Sequence, residues 1–141
     1  MSSKSKGSRY ERKLVGALRS QGFFARRAGS SGSGGTDESY DVIAAKDGKV
    51  YVIELKFVSS GRTRFDSDKI HGTQGNGSDD HDGLVGIAKQ FGATPLLVSR
   101  FSGDTTFYAF TPSQAGPPTD AGAYTVGHGD CKDDAMVLAS A

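Results

Sequence analysis

Two apolar runs, residues 40–45 and 50–57, are separated by a tight-turn signal, and this arrangement restricts the fold more than any other part of the 141-residue sequence. The turn is Lys46-Asp-Gly-Lys49. Its Asp47-Gly48 pair is typical of a two-residue hairpin, because Asp and Gly tolerate the positive φ angles that such a turn requires. The second run alternates with period two, as expected of a strand with one buried face. The sequence therefore predicts an antiparallel β-hairpin.

Two charged side chains occupy one face of the second predicted strand. Glu54 and Lys56 are two residues apart, so they point to the same side of the sheet as Val52. The opposite side carries Ile53, Leu55 and Phe57. Burying such charges without a partner is costly. Asp41 opens the preceding strand, and a metal ion bridging Asp41 and Glu54 would be a partner; a cross-strand salt bridge on a solvated face is the alternative.

Oxygen ligands from two carboxylates suit Mg²⁺, with Mn²⁺ as the alternative ion. An ion of this kind can polarise a phosphodiester and activate water. Lys56 could orient or deprotonate that water, or stabilise the charge that develops on phosphorus. Asp37 could replace Asp41 as a ligand, but only Asp41 opens a predicted strand. The pattern indicates metal-dependent phosphodiester hydrolysis.

The remaining patterns predict an α/β fold in a single domain of residues 1–141. Ser8, with Glu11 three residues later as in a capping box, predicts a helix that starts at Ser8 and ends at Gly22. Strands are predicted at residues 23–25, 94–101 and 105–110, and a second helix at 83–90, which gives a mixed sheet flanked by helices. Three segments are predicted to lie outside this core: a flexible basic arm at 1–7, a long polar loop at 59–82, and a C-terminal extension at 112–141. The extension is predicted to hold an edge strand at 122–127 and a helical turn at 133–138.

Positive charge is concentrated in the N-terminal part of the chain, although the net charge is only +1. The basic residues on and around the first predicted helix are Lys4, Lys6, Arg9, Arg12, Lys13, Arg19, Arg26 and Arg27. Residues 112–141 hold one Lys and four Asp, with no Arg or Glu. A basic front and an acidic rear suit phosphate binding, and a solvated basic helix is the alternative.

Compartment signals point to the inside of a cell. The single cysteine, Cys131, cannot form an internal disulfide, which favours a reducing environment. No apolar run approaches the roughly 18 residues of a membrane-spanning helix, and the polar first residues are unlike a signal peptide.

Several motifs stand in an order that is more specific than any one of them. They are Lys6-Gly-Ser8, Glu11-Arg12, Gly22-Phe23, Arg27-Ala28, Ser31-Gly32-Ser33, Asp41-Val-Ile-Ala44, Ile53-Glu-Leu-Lys56 and the later Ile87-Ala-Lys-Gln-Phe-Gly-Ala93. Over roughly residues 4–110, the sequence resembles the archaeal Holliday junction resolvases, a family of PD-(D/E)xK nucleases. It departs from their pattern at Tyr40, where the motif usually has Pro.

The resemblance implies a restriction-endonuclease-like core and roles for individual residues. Metal ligands are implied at Asp41, Glu54 and Glu11 and at the backbone carbonyl of Leu55. Catalytic roles are implied for Glu11, Asp41, Glu54, Lys56 and for Ser31 on a mobile loop. DNA contacts are implied for Arg27 and Arg12, and the concentration of positive charge adds Lys6, Arg9 and Arg26 as expected DNA contacts. Arg26 and Arg27 compete for the single family arginine, and Arg27 keeps the spacing from Gly22-Phe23.

The resemblance also implies Mg²⁺ as cofactor, four-way junction DNA as partner, a homodimer without membrane association, and a cytoplasmic location in an archaeal cell, with the gene cellular or viral. Apolar strand residues 96–101 and 107–110 could form part of the dimer interface, and core packing explains them equally well. A repair or restriction-type nuclease with the same core, and a non-catalytic DNA-binding homologue, remain alternatives.

Overall fold

The computed structural model describes residues 3–28, 40–72, 83–115 and 122–140. Within them lie four helices, α1 (Ser3–Ser20), α2 (Ser67–His71), α3 (Leu84–Phe91) and α4 (His128–Asp134). The described strands are β1 (Phe24–Arg27), β2 (Val42–Lys46), β3 (Lys49–Val58), β4 (Thr63–Asp66), β5 (Thr94–Phe101), β6 (Thr106–Phe110), β7 (Ala123–Val126) and β8 (Met136–Ser140).

The central layer is a six-stranded sheet in the order β1-β2-β3-β5-β6-β8. The β3–β5 pair is parallel and the other pairs are antiparallel. Strands β4 and β7 form a separate antiparallel ribbon. The predicted α/β fold, a mixed sheet flanked by helices, is confirmed.

The predicted hairpin joins β2 and β3. Asp47 and Gly48 have φ angles of 53° and 80°, the positive values of a type I′ turn. Lys46 therefore pairs with Lys49, and this register continues to the pair of Val42 with Ile53. The turn thus fixes which residue of β3 lies opposite the start of β2.

Each face of the sheet packs against its own apolar layer, as the alternation of β3 predicts. Ile53 and Leu55 belong to a cluster with Leu14 and Leu18 of α1. Val52 points the other way, into a cluster with Ile70 of α2 and Leu84 of α3, among others. Glu54 and Lys56 share the side of Val52 by period two, so the charged residues of β3 lie away from the side of the sheet that α1 covers.

The prediction that α1 starts at Ser8 is wrong, because the helix begins at Ser3 and includes residues 3–7 of the predicted basic arm. Ser8 and Glu11 therefore lie within the helix instead of forming a capping box. The segment before Ser8 contains two lysines and no proline, so nothing in it stops a helix from extending backward. Residues 1 and 2 lie outside the described residues.

The long loop predicted at residues 59–82 contains β4 and α2. Phe65 and Ile70 are fully buried and anchor these two elements in the cluster on the α3 side of the sheet. Strand β4 pairs with β7, about 60 residues later in the chain. Because its partner strand is so distant in the chain, the short polar sequence of β4 contains no local pattern that predicts a strand. Residues 73–82 lie outside the described residues.

The C-terminal extension is part of the fold. A strand is confirmed at residues 123–126 as β7, but it pairs with β4 in the separate ribbon instead of adding an edge to the central sheet. The helical turn predicted at residues 133–138 is wrong. Helix α4 ends at Asp134, and β8 follows and pairs with β6 at one edge of the central sheet. Leu138 and Ala139 of β8 are buried in the cluster beneath α1, and this long-range packing decides between strand and helix.

Gly83, which precedes α3, makes a backbone contact that no other residue allows. A Cβ atom at this position would lie 2.4 Å from the Gly72 nitrogen and 2.9 Å from the Ile70 oxygen. We therefore expect Gly83→Ala to lower the free energy of unfolding by roughly 1–3 kcal/mol, as overpacking does. The matched control is Gly16→Ala in the middle of α1, where the added Cβ meets nothing within 4 Å and should stabilise the helix by up to about 1 kcal/mol. Denaturant unfolding of both variants is the measurement, and equal stabilities would contradict the assigned contact.

Candidate active site

Asp41 lies where β2 begins and forms two hydrogen bonds with the neighbouring strand, β3. Its N–H donates to the Ile53 carbonyl at 2.7 Å. Its carboxylate Oδ2 accepts the Leu55 N–H at 2.8 Å. The side chain thus takes the place of the next strand residue in the hydrogen-bond ladder, and the Asp41 carboxylate is fixed against the middle of β3.

Glu54 and Lys56 lie on the part of β3 that extends past the start of β2. Glu54 is buried, with 5% of its surface exposed. Its Oε1 lies 3.8 Å from the Lys56 Nζ, which is partly exposed. Residues 54–58 pair with β5 on one side, while the paired residues of β2 end opposite Ile53 on the other. Among the described residues, no strand pairs with the charged end of β3 along that second edge.

Helix α1 brings Glu11 to the same region. Tyr10 stacks on Phe57 near the end of β3, with ring centroids 4.1 Å apart and planes 11° from parallel. The adjacent Glu11 accepts a hydrogen bond from Arg27 Nε at 3.1 Å, and Arg27 Nη2 donates to the Ser8 hydroxyl at 3.1 Å. Arg27, at the end of β1, thereby ties the sheet to two consecutive turns of α1.

The three carboxyl groups have raised pKa values, and they influence one another. Burial raises the pKa of Glu54 to about 8, and the charge of Asp41 adds to the shift while Lys56 and Lys69 oppose it. Burial also raises the pKa of Asp41, against the Leu55 N–H and the charges of Lys56, Lys69 and Arg27. For Glu11, burial and then Asp41 raise the pKa, and Arg27 lowers it. Negative charge is thus crowded here, and a cation would relieve the repulsion.

A divalent metal ion fits two of these carboxylates. Asp41 and Glu54 are hard oxygen donors, of which Glu54 is buried and Asp41 is partly buried. In the part of the chain that the structure describes, no three His, Cys, Asp or Glu side chains are arranged to hold an ion together. The expected third carboxylate, Glu11, is engaged by Arg27 instead. This donor set suits Mg²⁺, which is usually bound by one or two carboxylates and keeps several waters.

Arginines line a cleft next to this site. Its volume is about 450 Å³, and its lining consists of Arg12, Val15, Gly16, Arg19, Arg26 and Arg27. Arg19 is held in place because its guanidinium donates twice to the Ala25 carbonyl, at 3.1 and 2.9 Å. Both candidates for the family arginine reach the cleft, but only Arg27 also contacts Glu11.

Other predicted site residues lie elsewhere or outside the described residues. Arg9 is exposed on α1, and its guanidinium lies 5.7 Å from the centre of the Tyr10 ring. Ser31 and the side chain of Lys6 belong to the part of the chain that is not described. Two residues join the site or its cleft without a specific role predicted from the sequence: Ser8, and Arg19, which was counted among the basic residues around the first helix. The charge of Lys69 also lowers the pKa of Asp41 and Glu54. Ser8 carried a capping signal instead, and Lys69 stood in a segment predicted to be a loop.

We expect Glu54→Gln to stabilise the metal-free protein in a pH-dependent way. In the unfolded chain Glu54 releases its proton near its ordinary pKa of 4.5, whereas the folded protein holds it up to about 8. The folded state therefore loses stability as pH rises between these values, and Gln avoids this loss. The gain should exceed about 1 kcal/mol at pH 7, since one pKa unit corresponds to about 1.4 kcal/mol. Urea unfolding in EDTA from pH 4 to 9 measures it, and a difference between the proteins that stays constant with pH would contradict the raised pKa.

Comparison with known proteins gives consistent results. The sequence matches the family described as archaeal Holliday junction resolvase (Hjc) over residues 2–133, well beyond the motifs at residues 4–110. Crossover junction endodeoxyribonuclease Hjc of Sulfolobus acidocaldarius is 36% identical over 124 residues, which cover 88% of this chain and 78% of that protein. The protein of the same name from Methanocaldococcus jannaschii is 33% identical over 103 residues, or 72% of this chain and 64% of the relative.

A solved structure shares the fold. Archaeoglobus fulgidus Hjc, a Holliday junction resolvase from an archaeal hyperthermophile, superposes with a TM-score of 0.72 at 18% identity, and the match covers 93% of this chain and 95% of that one. The expected restriction-endonuclease-like fold is therefore confirmed. By the extent of its sequence match and by its fold, the chain belongs to the archaeal Holliday junction resolvase family.

Proposed function

We propose that this protein is a metal-dependent DNA endonuclease that resolves four-way junctions by paired, symmetric cuts as a homodimer. The observation that carries the proposal is the buried carboxylate of Glu54 together with the partly buried carboxylate of Asp41, beside Lys56 at the end of β3. Two neighbouring acids whose pKa values are both raised, one of them by the charge of the other, are hard to explain as scaffolding, whereas a cation turns them into a functional site.

Mg²⁺ is the proposed cofactor, with Mn²⁺ as the alternative, and Asp41 and Glu54 would hold it. The Leu55 carbonyl is a further proposed ligand. The N–H and C=O of one strand residue point to the same lateral side, and the Leu55 N–H points to Asp41. When bound, such an ion polarises a phosphodiester and lowers the pKa of a coordinated water.

The side chains around the ion divide the remaining tasks. Lys56, the lysine next to Glu54, would orient the attacking water or stabilise charge on the phosphate oxygens. Glu11, which is hydrogen-bonded to Arg27, would accept a hydrogen bond from a water molecule bound to the ion. In this proposal Glu11 is a catalytic residue that contacts the ion through that water. Ser31 is proposed to act from its loop over the scissile strand.

The arginine cleft is the proposed path of the DNA backbone. Arg12, Arg19, Arg26 and Arg27 line it, and all four belong to the basic residues identified in the sequence. Guanidinium groups bind phosphate oxygens in pairs and contribute affinity at any sequence. Arg9 and Lys6 would extend the contact along α1. Arg27 lines the cleft and also contacts Glu11. A DNA backbone bound in the cleft would therefore lie close to the carboxylates.

A homodimer fits a substrate with two-fold symmetry, since two matched cuts require two sites. Strand residues 96–101 and 107–110, which the sequence offers for an interface, include side chains buried within the fold, for example Leu96, Val98 and Phe107. Core packing therefore accounts for these side chains. Large apolar side chains that stay exposed in the described residues are Phe24, Phe91, Met136 and Val137. An interface is proposed to draw on some of these.

The protein is proposed to act in the cytoplasm of an archaeal cell, with its gene either cellular or viral. The thiol of Cys131 is free and buried, which suits a reducing compartment. None of the helices in the described ranges is long and apolar enough to cross a membrane.

We expect Asp41→Asn to abolish cleavage of a labelled four-way junction in Mg²⁺ while binding in EDTA persists. The amide keeps the size of the side chain but removes a ligand charge, so the rate should fall by at least about 100-fold. The assay compares the junction with linear duplex of equal length. Symmetric cuts confined to the junction support the resolvase and the dimer.

Other outcomes separate the alternatives. Equal cutting of junction and duplex would indicate a repair or restriction-type nuclease. Binding of the junction by the wild-type protein without cutting in either metal would indicate a non-catalytic homologue. Cleavage by Asp41→Asn at the wild-type rate would contradict the proposed site.

We expect Arg26→Gln to weaken junction binding and to reduce its salt dependence. One lost phosphate contact should lower the slope of log K against log salt concentration by about 0.9. The matched control is Arg62→Gln, an exposed arginine that pairs with Asp130 away from the cleft. Gel-shift titrations in EDTA at several salt concentrations give both slopes, and a slope unchanged by Arg26→Gln would remove Arg26 from the DNA path.

A further inference from the structure

The turn of α1 that carries Glu11 is attached to the sheet by side-chain contacts and not by burial. From Ser8 to Lys13 no residue of the helix is buried, and the first buried side chain after them is Leu14. A segment without buried side chains shifts more easily than the core-facing part of the same helix. The position of Glu11 therefore depends on the contacts that its own turn makes with the sheet.

One of these contacts is polar and comes from Arg27 of β1. Its guanidinium donates to Glu11 and to the Ser8 hydroxyl, each at 3.1 Å. Arg27 also lines the arginine cleft, which is the path proposed above for the DNA backbone. A phosphate bound in the cleft would compete with Glu11 and Ser8 for the N–H groups of this guanidinium. The Arg27 contact is therefore weakened at the stage when Glu11 is needed.

The second contact is aromatic, and phosphate does not compete for it. Tyr10, next to Glu11, stacks on Phe57 of β3 with ring centroids 4.1 Å apart and planes 11° from parallel. The guanidinium of Arg100, a buried residue of β5, lies 5.3 Å from the centre of the Tyr10 ring. Arg100 is itself fixed, because its Nε donates to the Asp104 carbonyl at 2.6 Å. Two neighbouring strands thus hold one ring of α1 through contacts that depend on ring geometry.

The stacked rings join two parts of the candidate site. Phe57 directly follows Lys56 in β3, and Tyr10 directly precedes Glu11 in α1. A change in the spacing of the rings would therefore change the distance from Glu11 to the charged end of β3. Misplacing a catalytic group by about 1 Å can cost about 100-fold in rate, so the stack is placed where a small shift matters.

On the basis of the function proposed above, we propose that Tyr10 and Phe57 are positioning residues, whose stacked rings keep Glu11 in place while Arg27 binds the DNA backbone. In this role the rings contact neither the substrate nor the ion, and they act through the Glu11 carboxylate. Loss of the stack should therefore slow the chemical step and leave the affinity for DNA nearly unchanged.

Tyr51 provides a matched control on the same strand. It lies six residues before Phe57, and so on the same side of β3, and it is also half-buried. Its ring contacts that of Phe23 at a centroid distance of 6.4 Å. Both rings pack on the apolar cluster that Tyr10 also contacts. Because Phe23 follows the C-terminal end of α1, Tyr51→Leu and Phe57→Leu remove the same kind of contact at opposite ends of the helix.

The test compares Phe57→Leu, Phe57→Tyr and Tyr51→Leu, each alone and combined with Glu11→Gln. Single-turnover cleavage of a four-way junction is measured in Mg²⁺ at saturating protein, and junction affinity is measured in EDTA. Amide hydrogen exchange of the metal-free proteins shows which turns of α1 open more often. Thermal unfolding verifies that each variant is folded.

We expect Phe57→Leu to slow cleavage at saturation by roughly 10- to 100-fold, with little change in junction affinity. Phe57→Tyr keeps the ring and should recover most of the rate, and Tyr51→Leu should cut as the wild type does. In the Glu11→Gln background, Phe57→Leu should cause little further loss, because two changes that act through one group are not additive. Exchange should rise at residues 8–12 in Phe57→Leu and near the C-terminal end of α1 in Tyr51→Leu.

Three results would overturn the inference: cleavage by folded Phe57→Leu at the wild-type rate, an equal loss in Tyr51→Leu, or full additivity with Glu11→Gln. All three leave the proposed nuclease function intact, because the wild-type protein tests that function in the same assay. If the wild type does not cut, the proposed function fails, and hydrogen exchange still decides about the stack. A rise confined to residues 8–12 in Phe57→Leu would support the hold on Glu11, and unchanged exchange there would exclude it.

Discussion

The hydrogen bond from the Leu55 N–H to the Asp41 carboxylate joins the fold and the site in one contact. It continues the β2–β3 ladder by one step with a side chain in place of a strand residue. Asp41 therefore cannot move without uncoupling the two strands, and Glu54 lies one residue away from the donor. The register that fixes this geometry is set at the Asp47-Gly48 turn, which lies between Asp41 and Leu55 in the chain. A short local signal therefore positions both proposed metal ligands.

The sequence was most informative where the determining interactions are local. The turn residues and the period-two pattern of β3 predicted the hairpin, the side on which Glu54 lies and the apolar face that packs on α1. The misassigned elements depend on distant partners: β4 needs β7, and β8 needs β6. The same reason explains the site. Asp41, Glu54 and Lys56 could be predicted, whereas the role of Ser8 was hidden by its resemblance to a helix cap, and the position of Lys69 depends on packing among β4, α2 and α3.

The candidate site also lowers the stability of the metal-free fold. Glu54 is buried with a raised pKa, and Asp41 and Glu11 increase the cost of its ionisation. An apolar residue at position 54 would suit the metal-free fold better, since Val52 on the same side of β3 is fully buried. The surrounding elements, α1, α2 and the neighbouring strands, hold Glu54 in this position. Such local conflict between sequence and fold is typical of functional sites.

The pairing of β4 with β7 has a consequence for how the protein is made. Chains are synthesised from the N-terminus, and early segments can begin to fold before late ones exist. Asp41, Glu54 and Lys56 are all present once the first hairpin has been made, but β4 and the short helix after it must wait for residues 123–126. Strand β8, which covers one edge of the central sheet, is later still. A nascent chain on the ribosome therefore carries the carboxylates well before it has the surroundings that complete them, and β4 finds its partner only after β7 has been made.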